Sequence, residues 1–298
     1  MFQKVHVFAQ HTGAVYSLSA GRSANTFFSA SADGYVVEWN LQTMQQEHFV
    51  VKVDNPVYSV LFHSKSNILF IGTSSGAMHV VDFISKNEIH LFEAHTNGIY
   101  DFAFDEKRNQ LIVAGGDGCL SVWSVSPMQR VRNIPMCEGK LRQLALNDKE
   151  QLLAVACGDG MVRMLDLDFF NEQNCIDAHE GGATAVAWHP AKPVLLSGGK
   201  DAHLKVWNAK SEFDLALSLP AHNYAIYSIV FADGLCISAS RDKSIKVWNA
   251  KTFEAIQKLD LKSGGHSHSV NKLLVRNNRL ISCSDDRQLK VWQDLPTV

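Results

Sequence analysis

An all-β repeat fold is what this sequence predicts, and three observations predict it. Short runs of alternating apolar and polar residues fill the chain, separated by turn residues. Several of these runs close on Trp followed by a polar residue. The closings recur at a nearly constant interval. They read Gly34-Tyr-Val-Val-Glu-Trp39-Asn40, Gly118-Cys-Leu-Ser-Val-Trp123-Ser124, Ala202-His-Leu-Lys-Val-Trp207-Asn208, Lys243-Ser-Ile-Lys-Val-Trp248-Asn249 and Gln288-Leu-Lys-Val-Trp292-Gln293. Two degenerate copies end at Val81-Asp82 and Leu165-Asp166. The seven end positions are 39, 81, 123, 165, 207, 248 and 292, spaced 41 to 44 residues apart.

Each unit supplies four strands. In the first, Val15-Tyr-Ser-Leu-Ser, Thr26-Phe-Phe-Ser-Ala and Tyr35-Val-Val-Glu-Trp39 read as three. Connecting pieces such as Glu88-Ile-His-Leu-Phe-Glu93 and Glu254-Ala-Ile-Gln-Lys-Leu259 read as a fourth. No amphipathic helix is evident. A period of about 40–45 residues with four strands each is the signature of propeller blades. The expectation is one domain over residues 1–298, a seven-bladed β-propeller with four antiparallel strands per blade. After Trp292 only Gln293 to Val298 remain, Pro296 among them, and proline cannot donate to a ladder. Lys4-Val-His-Val-Phe8 lies where a fourth strand would precede His11. The N-terminal strand should therefore close the last blade and cover its edge.

Composition narrows the function. Hydrophobic residues make up 46% of the 298 and charged residues 19%, so a large core is possible and wholesale disorder is not expected. A net charge of −2 exerts no general pull on nucleic acid or an anionic membrane. No run approaches the ~18 apolar residues of a membrane span. Met1-Phe2-Gln3-Lys4 lacks the apolar run and cleavage site of a secretory signal. Cys119, Cys137, Cys157, Cys175, Cys236 and Cys283 include no CxxC pair, which suits reduced thiols better than a disulfide framework or a zinc site. The expected location is cytoplasmic, with no membrane association.

The repeats resemble the WD-repeat (Trp-Asp repeat) family along essentially the whole chain. That resemblance implies a buried network in each blade, joining a His before the first strand, a Ser or Thr in the second, an Asp in the following turn and the Trp of the third. The residue types suit the task, because indole N–H only donates, carboxylate only accepts, and hydroxyl and neutral imidazole do both. Complete sets are His11, Ser29, Asp33, Trp39; His179, Ser197, Asp201, Trp207; His222, Ser238, Asp242, Trp248; and His266, Ser282, Asp286, Trp292. Blade two has Val53, Ile71, Ser75 and Val81 at these places. Blade four keeps only Asp159, beside Cys137, Val155 and Leu165. Blade three keeps His95, Asp117 and Trp123 but has Val113 where Ser is expected, so its network is expected to be incomplete. Blades two to four should be the softest. A Ser/His/Asp set could suggest a hydrolase triad. Four repeats of it in one register indicate structural staples, and no catalytic residue is expected.

The resemblance also places partner contacts on the top face, at the residue five beyond the His. Reading round the ring gives Tyr16, Tyr58, Tyr100, Arg142, Thr184, Tyr227 and Asn271, with Tyr224 nearby. The position before the turn Asp also faces the top in this family. It holds Ala32, Ser74, Gly116, Gly158, Lys200, Arg241 and Asp285. Tyr and Arg are enriched at interface hot spots. The expected partner-binding residues are Tyr16, Tyr58, Tyr100, Arg142, Lys200, Tyr224, Tyr227 and Arg241. Two readings of the Tyr position stand, partner contact and inter-blade packing shared by duplicated units.

Other signals are weaker. His266-Ser-His268 is half a metal site at most, and His266 already belongs to a network, so no metal is expected. Gly115-Gly116-Asp117-Gly118 and Gly198-Gly199 do not open a helix, so phosphate binding is not supported, and no cofactor is expected. The leading function is a non-catalytic scaffold or adaptor that binds a protein or peptide, as a monomeric propeller within a larger assembly. The alternatives are a propeller enzyme, which would turn over without a partner, and a nucleic-acid or chromatin-type module at the channel mouth, whose binding would weaken steeply with salt.

Overall fold

A computed structural model describes residues 1–294. Pro296 and its neighbours in 295–298 lie outside the described residues. The described strands form seven four-stranded antiparallel sheets. The fold class is the seven-bladed β-propeller, one sheet per blade. The first strands of sheets one to seven are Val15–Ala20, Val57–His63, Ile99–Asp105, Leu141–Asn147, Ala183–Trp188, Ile226–Ala232 and Val270–Arg276. Six sheets take their strands in chain order. In the seventh, Phe2–Phe8 is the outer strand and pairs with Leu289–Asp294, from Phe2 opposite Asp294 to Phe8 opposite Leu289. The N-terminal closure read from the sequence is what the chain does.

Burial explains the sequence pattern. Second strands such as Thr26–Ser31 are buried along their whole length, so they carry apolar residues and small hydroxyls and no charge. Fourth strands such as Asn87–Glu93 are almost wholly exposed and carry charge instead.

The chain divides into two compact units, residues 1–92 with 230–298, and residues 93–229. In the first unit Phe8 packs with Phe27, Trp39, Leu289 and Val291, which anchors the closing strand in the core. Phe2 packs with Leu259, Val270 and Trp292. Its backbone exchanges two hydrogen bonds with the Gln257 amide, at 2.9 and 2.8 Å. In the second unit Leu141, Leu153, Val155, Leu165 and Phe170 share one core cluster. Ala156, Val162, Val186, Leu195 and Trp207 share another.

One backbone irregularity recurs. In the first sheet Val15 pairs with Ser31 and Ser17 with Ala30, so Tyr16 is the extra residue of a register shift. The same β-bulge falls at Tyr58, Tyr100, Arg142, Thr184 and Asn271. A bulge breaks the inward-outward alternation and re-aims the extra side chain.

Candidate functional site

In the first, fifth and seventh sheets the Ser/His/Asp/Trp sets are closed networks. In the first sheet His11 Nδ1 lies 2.9 Å from Asp33 and Nε2 lies 2.7 Å from Ser29 Oγ, while Trp39 Nε1 donates to Ser29 Oγ at 2.7 Å. The imidazole N–H is best placed on Nδ1 facing the carboxylate, because Ser29 then accepts from the indole and donates to Nε2. The fifth sheet repeats this with His179, Asp201, Ser197 and Trp207 at 2.9, 2.7 and 2.8 Å. The seventh repeats it with His266, Asp286, Ser282 and Trp292 at 2.9, 2.8 and 2.9 Å. In the sixth, Trp248 donates to Ser238 at 3.0 Å and His222 is buried.

Burial lowers the pKa of His11, His95, His179 and His266, against the upward pull of each paired carboxylate, which favours neutral imidazoles. Burial pushes Asp286 up, but the His266 hydrogen bond and charge, with the N–H groups of Ser267 and Gln288, outweigh it and hold it down to about 2. Ser29, Ser197 and Ser282 are fully buried, and each Oγ is taken by both Trp and His. A hydrolytic nucleophile needs an approachable oxygen, and these have none to offer.

The third sheet corrects the expectation of an incomplete network. His95 lies 3.0 Å from Asp117 and 2.8 Å from Ser121 Oγ, and Trp123 donates to Ser121 at 2.8 Å. Ser121 stands directly across the ladder from Val113. The hydroxyl has moved to the neighbouring strand, and cross-strand partners on one face are close enough to trade places. A fixed offset from Asp cannot reveal the swap, although Ser two residues before Trp was a visible clue.

The second and fourth sheets lack the network. Val53, Ile71 and Val81 of the second sit in one apolar cluster with Phe28, Phe49, Phe62 and Phe83. In the fourth sheet Cys137 and Asp159 keep company with Cys157 and Arg163. The two sulfurs and an Asp159 oxygen lie within 4.8 Å of one another, a grouping that sequence spacing did not bring together.

Tyr16, Tyr58, Tyr100, Arg142 and Lys200, with Asn271, take the following local settings. In the first unit Tyr16 and Tyr58 meet edge to face at 5.3 Å, both half-buried. Asn271 donates to Val15 O at 2.9 Å and to Asp285 at 2.8 Å. In the second unit Tyr100 accepts from Lys140 Nζ at 2.9 Å, and the Arg142 guanidinium lies 4.7 Å from the Tyr100 ring centre. Tyr100 also lies over Gly116, where a Cβ would meet its ring at 2.7 Å. Lys140 was missed from sequence, since it lies in the loop, outside any strand pattern. Thr184 is buried and donates to Gly198 O at 3.1 Å, so its bulge position is structural. Tyr224 is 60% exposed, Lys200 lies against Gly182, and Tyr227 is half-buried. Arg241 is exposed.

Four-stranded repeats carrying these networks define a β-propeller of the Trp-Asp type. The chain belongs to the WD40 family (WD domain, G-beta repeat), which matches residues 2–40, 86–124, 170–208, 213–249 and 257–293, well over half of its length. The unmatched stretches contain the inner strands of the second and fourth sheets, where the network is absent. No curated protein matches the chain. WD40 propellers generally act as protein-interaction scaffolds, and the family is typically non-enzymatic. Among the described residues no helix is long and apolar enough to cross a membrane.

Proposed function

We propose that this chain is a non-catalytic, cytoplasmic scaffold that binds a peptide or protein loop bearing acidic groups and works as a monomeric propeller within a larger assembly. The observation that carries the reading is the bulge position, which holds Tyr16, Tyr58, Tyr100 and Arg142 in four successive sheets. Bulges re-aim side chains and are frequent beside functional sites. Around Tyr100, Lys140 and Arg142 place two cations on one aromatic ring. That set suits a carboxylate flanked by apolar surface, with charge giving selectivity and the ring giving contact area.

Affinity purification of the full chain, quantified by mass spectrometry, tests this. The Tyr16→Ala/Tyr58→Ala/Tyr100→Ala variant and the Tyr100→Ala/Arg142→Ala variant should each lose a defined set of wild-type partners by about tenfold or more, roughly 1.4 kcal/mol of binding. Thermal unfolding of each variant shows that it is folded. Recovery of every wild-type partner by the triple variant would refute the reading.

A further inference from the structure

The fourth sheet holds thiol chemistry where its neighbours hold a hydrogen-bonded network. Cys137 occupies the His place, on the connection between the strands Met128–Pro135 and Leu141–Asn147. Its N–H is tied to Gly118 O at 3.3 Å and its thiol donates to Gly139 O at 3.1 Å. Cys157 ends the second strand, Leu152–Cys157, opposite Leu141. The equivalent residues in the third and fifth sheets are Gly115 and Gly199, each the ladder partner of its sheet's first-strand opening residue. A Cβ at Gly115 would meet His95 Nδ1 at 2.2 Å, and one at Gly199 would meet His179 Cγ at 2.3 Å. That backbone place therefore abuts whatever fills the His position. With cysteine at both, the fold itself brings two sulfurs together, within 4.8 Å.

The surroundings favour thiolate over metal. Arg163 stands where the fifth and seventh sheets have Lys205 and Lys290, donates to Asp159 at 2.8 Å, and lies 3.4 Å from Glu172. Its Nη1 is buried without an acceptor in hydrogen-bonding geometry. The Arg163 guanidinium repels a metal cation and favours a sulfur anion, while the Asp159 carboxylate in the same cluster opposes ionisation of Cys137. The hydrogen bond from Cys157 lowers the Cys137 thiol to about 7 despite its partial burial. The same pairing, with complete burial, pushes Cys157 up, opposed weakly by Arg163. One thiol is thus half-exposed and poised to ionise, and the other is a buried protonated partner.

We propose that Cys137 and Cys157 form a reversible redox-modification site, in which hydrogen peroxide converts the thiol pair to a disulfide that ties the loop before the first strand to the end of the second. The Cys137 thiolate attacks one peroxide oxygen, the O–O bond breaks, and the departing hydroxide takes a proton to become water. This leaves Cys137 as the sulfenic acid. The Cys157 sulfur then attacks the Cys137 sulfur, the S–S bond forms as S–O breaks, and the leaving hydroxide takes the Cys157 proton. Two thiols lose two electrons and the peroxide becomes two waters.

The test treats the folded full chain with hydrogen peroxide at a few molar equivalents, then blocks free thiols and maps peptides by mass spectrometry. The expected result is a loss of two mass units, one cross-linked peptide joining Cys137 to Cys157, and full reversal by dithiothreitol. Cys175→Ser, which removes the exposed thiol, should leave this unchanged, and Cys137→Ser should abolish it. Independently of any variant, iodoacetamide should label Cys137 in the wild type faster than Cys236 or Cys283, with a rate inflection near pH 7. A cross-link from Cys137 to Cys119, oxidation of Cys137 only to sulfinic acid, or absence of that inflection would overturn the proposal. So would stoichiometric binding of Zn²⁺ that shields both thiols from alkylation.

Discussion

The second and fourth sheets have both lost the buried His–Ser–Trp network, and they fill the gap in opposite ways. The second fills it with hydrocarbon. Phe62 meets Phe28 at 5.3 Å and Phe83 at 5.4 Å, and Phe49 meets Phe83 at 4.5 Å, around Val53, Ile71 and Val81. The fourth replaces Ser and Trp by Val155 and Leu165, yet keeps Asp159 and sets Cys137, Cys157 and Arg163 beside it. The difference shows what becomes of a buried network once it decays. Removing every member costs little when apolar atoms fill the space. Keeping part of it leaves polar groups in a low-dielectric site, and those groups acquire shifted pKa values and reactivity. The third sheet shows a further outcome, in which the network survives because one member moved.

The largest test of this contrast lies in the second sheet. Phe62 is 6% exposed and touches two other rings. Phe62→Ala should cost about 3–5 kcal/mol in urea unfolding. A cost below about 1 kcal/mol would mean that the aromatic cluster is not what replaced the network.

In the third sheet, Ser121→Ala should cost about 1–3 kcal/mol, because the Trp123 and His95 nitrogens lose their shared partner. Adding Val113→Ser should restore most of it, since the cross-strand position then offers the hydroxyl as the other sheets do. Failure to rescue would show that the two positions are not interchangeable.

The last test is that of pH. His11, His95, His179 and His266 have folded pKa values below the unfolded value of about 6.5, so the unfolded chain binds the proton first. Stability is full above that value and declines as pH falls below it, by at most about 1.4 kcal/mol per histidine for each pH unit. Asp286 adds a second decline in the same direction, from about pH 4 down to its folded value of about 2. The urea midpoint should therefore drop on acidification below pH 6.5. A flat midpoint between pH 7 and pH 5 would mean that these histidines are not buried neutral. Phe62→Ala should not alter this pH profile, because the second sheet contributes no network histidine.

The expectation that sheets two to four form one soft region concerns three unlike sheets. The third sheet has its network, and the second has a continuous apolar cluster. Among the described residues the fourth alone combines a lost network with a buried cationic nitrogen that lacks an acceptor.

Much of the fold was legible in the sequence because its determinants are local. Period-two patterning specifies strands, and a strand ending that recurs at a near-constant interval, Trp in five sheets and Val81 or Leu165 in the other two, counts the sheets. Proline near one end and an apolar strand at the other indicate which terminus closes the last sheet. The networks of the first, fifth and seventh sheets were readable for the same reason, since each member keeps a constant offset along the chain. The tertiary structure alone decided the rest. Ser121 replaces Val113 across a ladder, a relation set by strand register and not by offset. The bulges at Tyr16, Tyr58, Tyr100 and Arg142 arise from pairing, which sequence alternation does not encode. Cys137 and Cys157 belong to a loop and a strand end that meet because the backbone abuts the His place, a closeness that exists only once the sheet has formed.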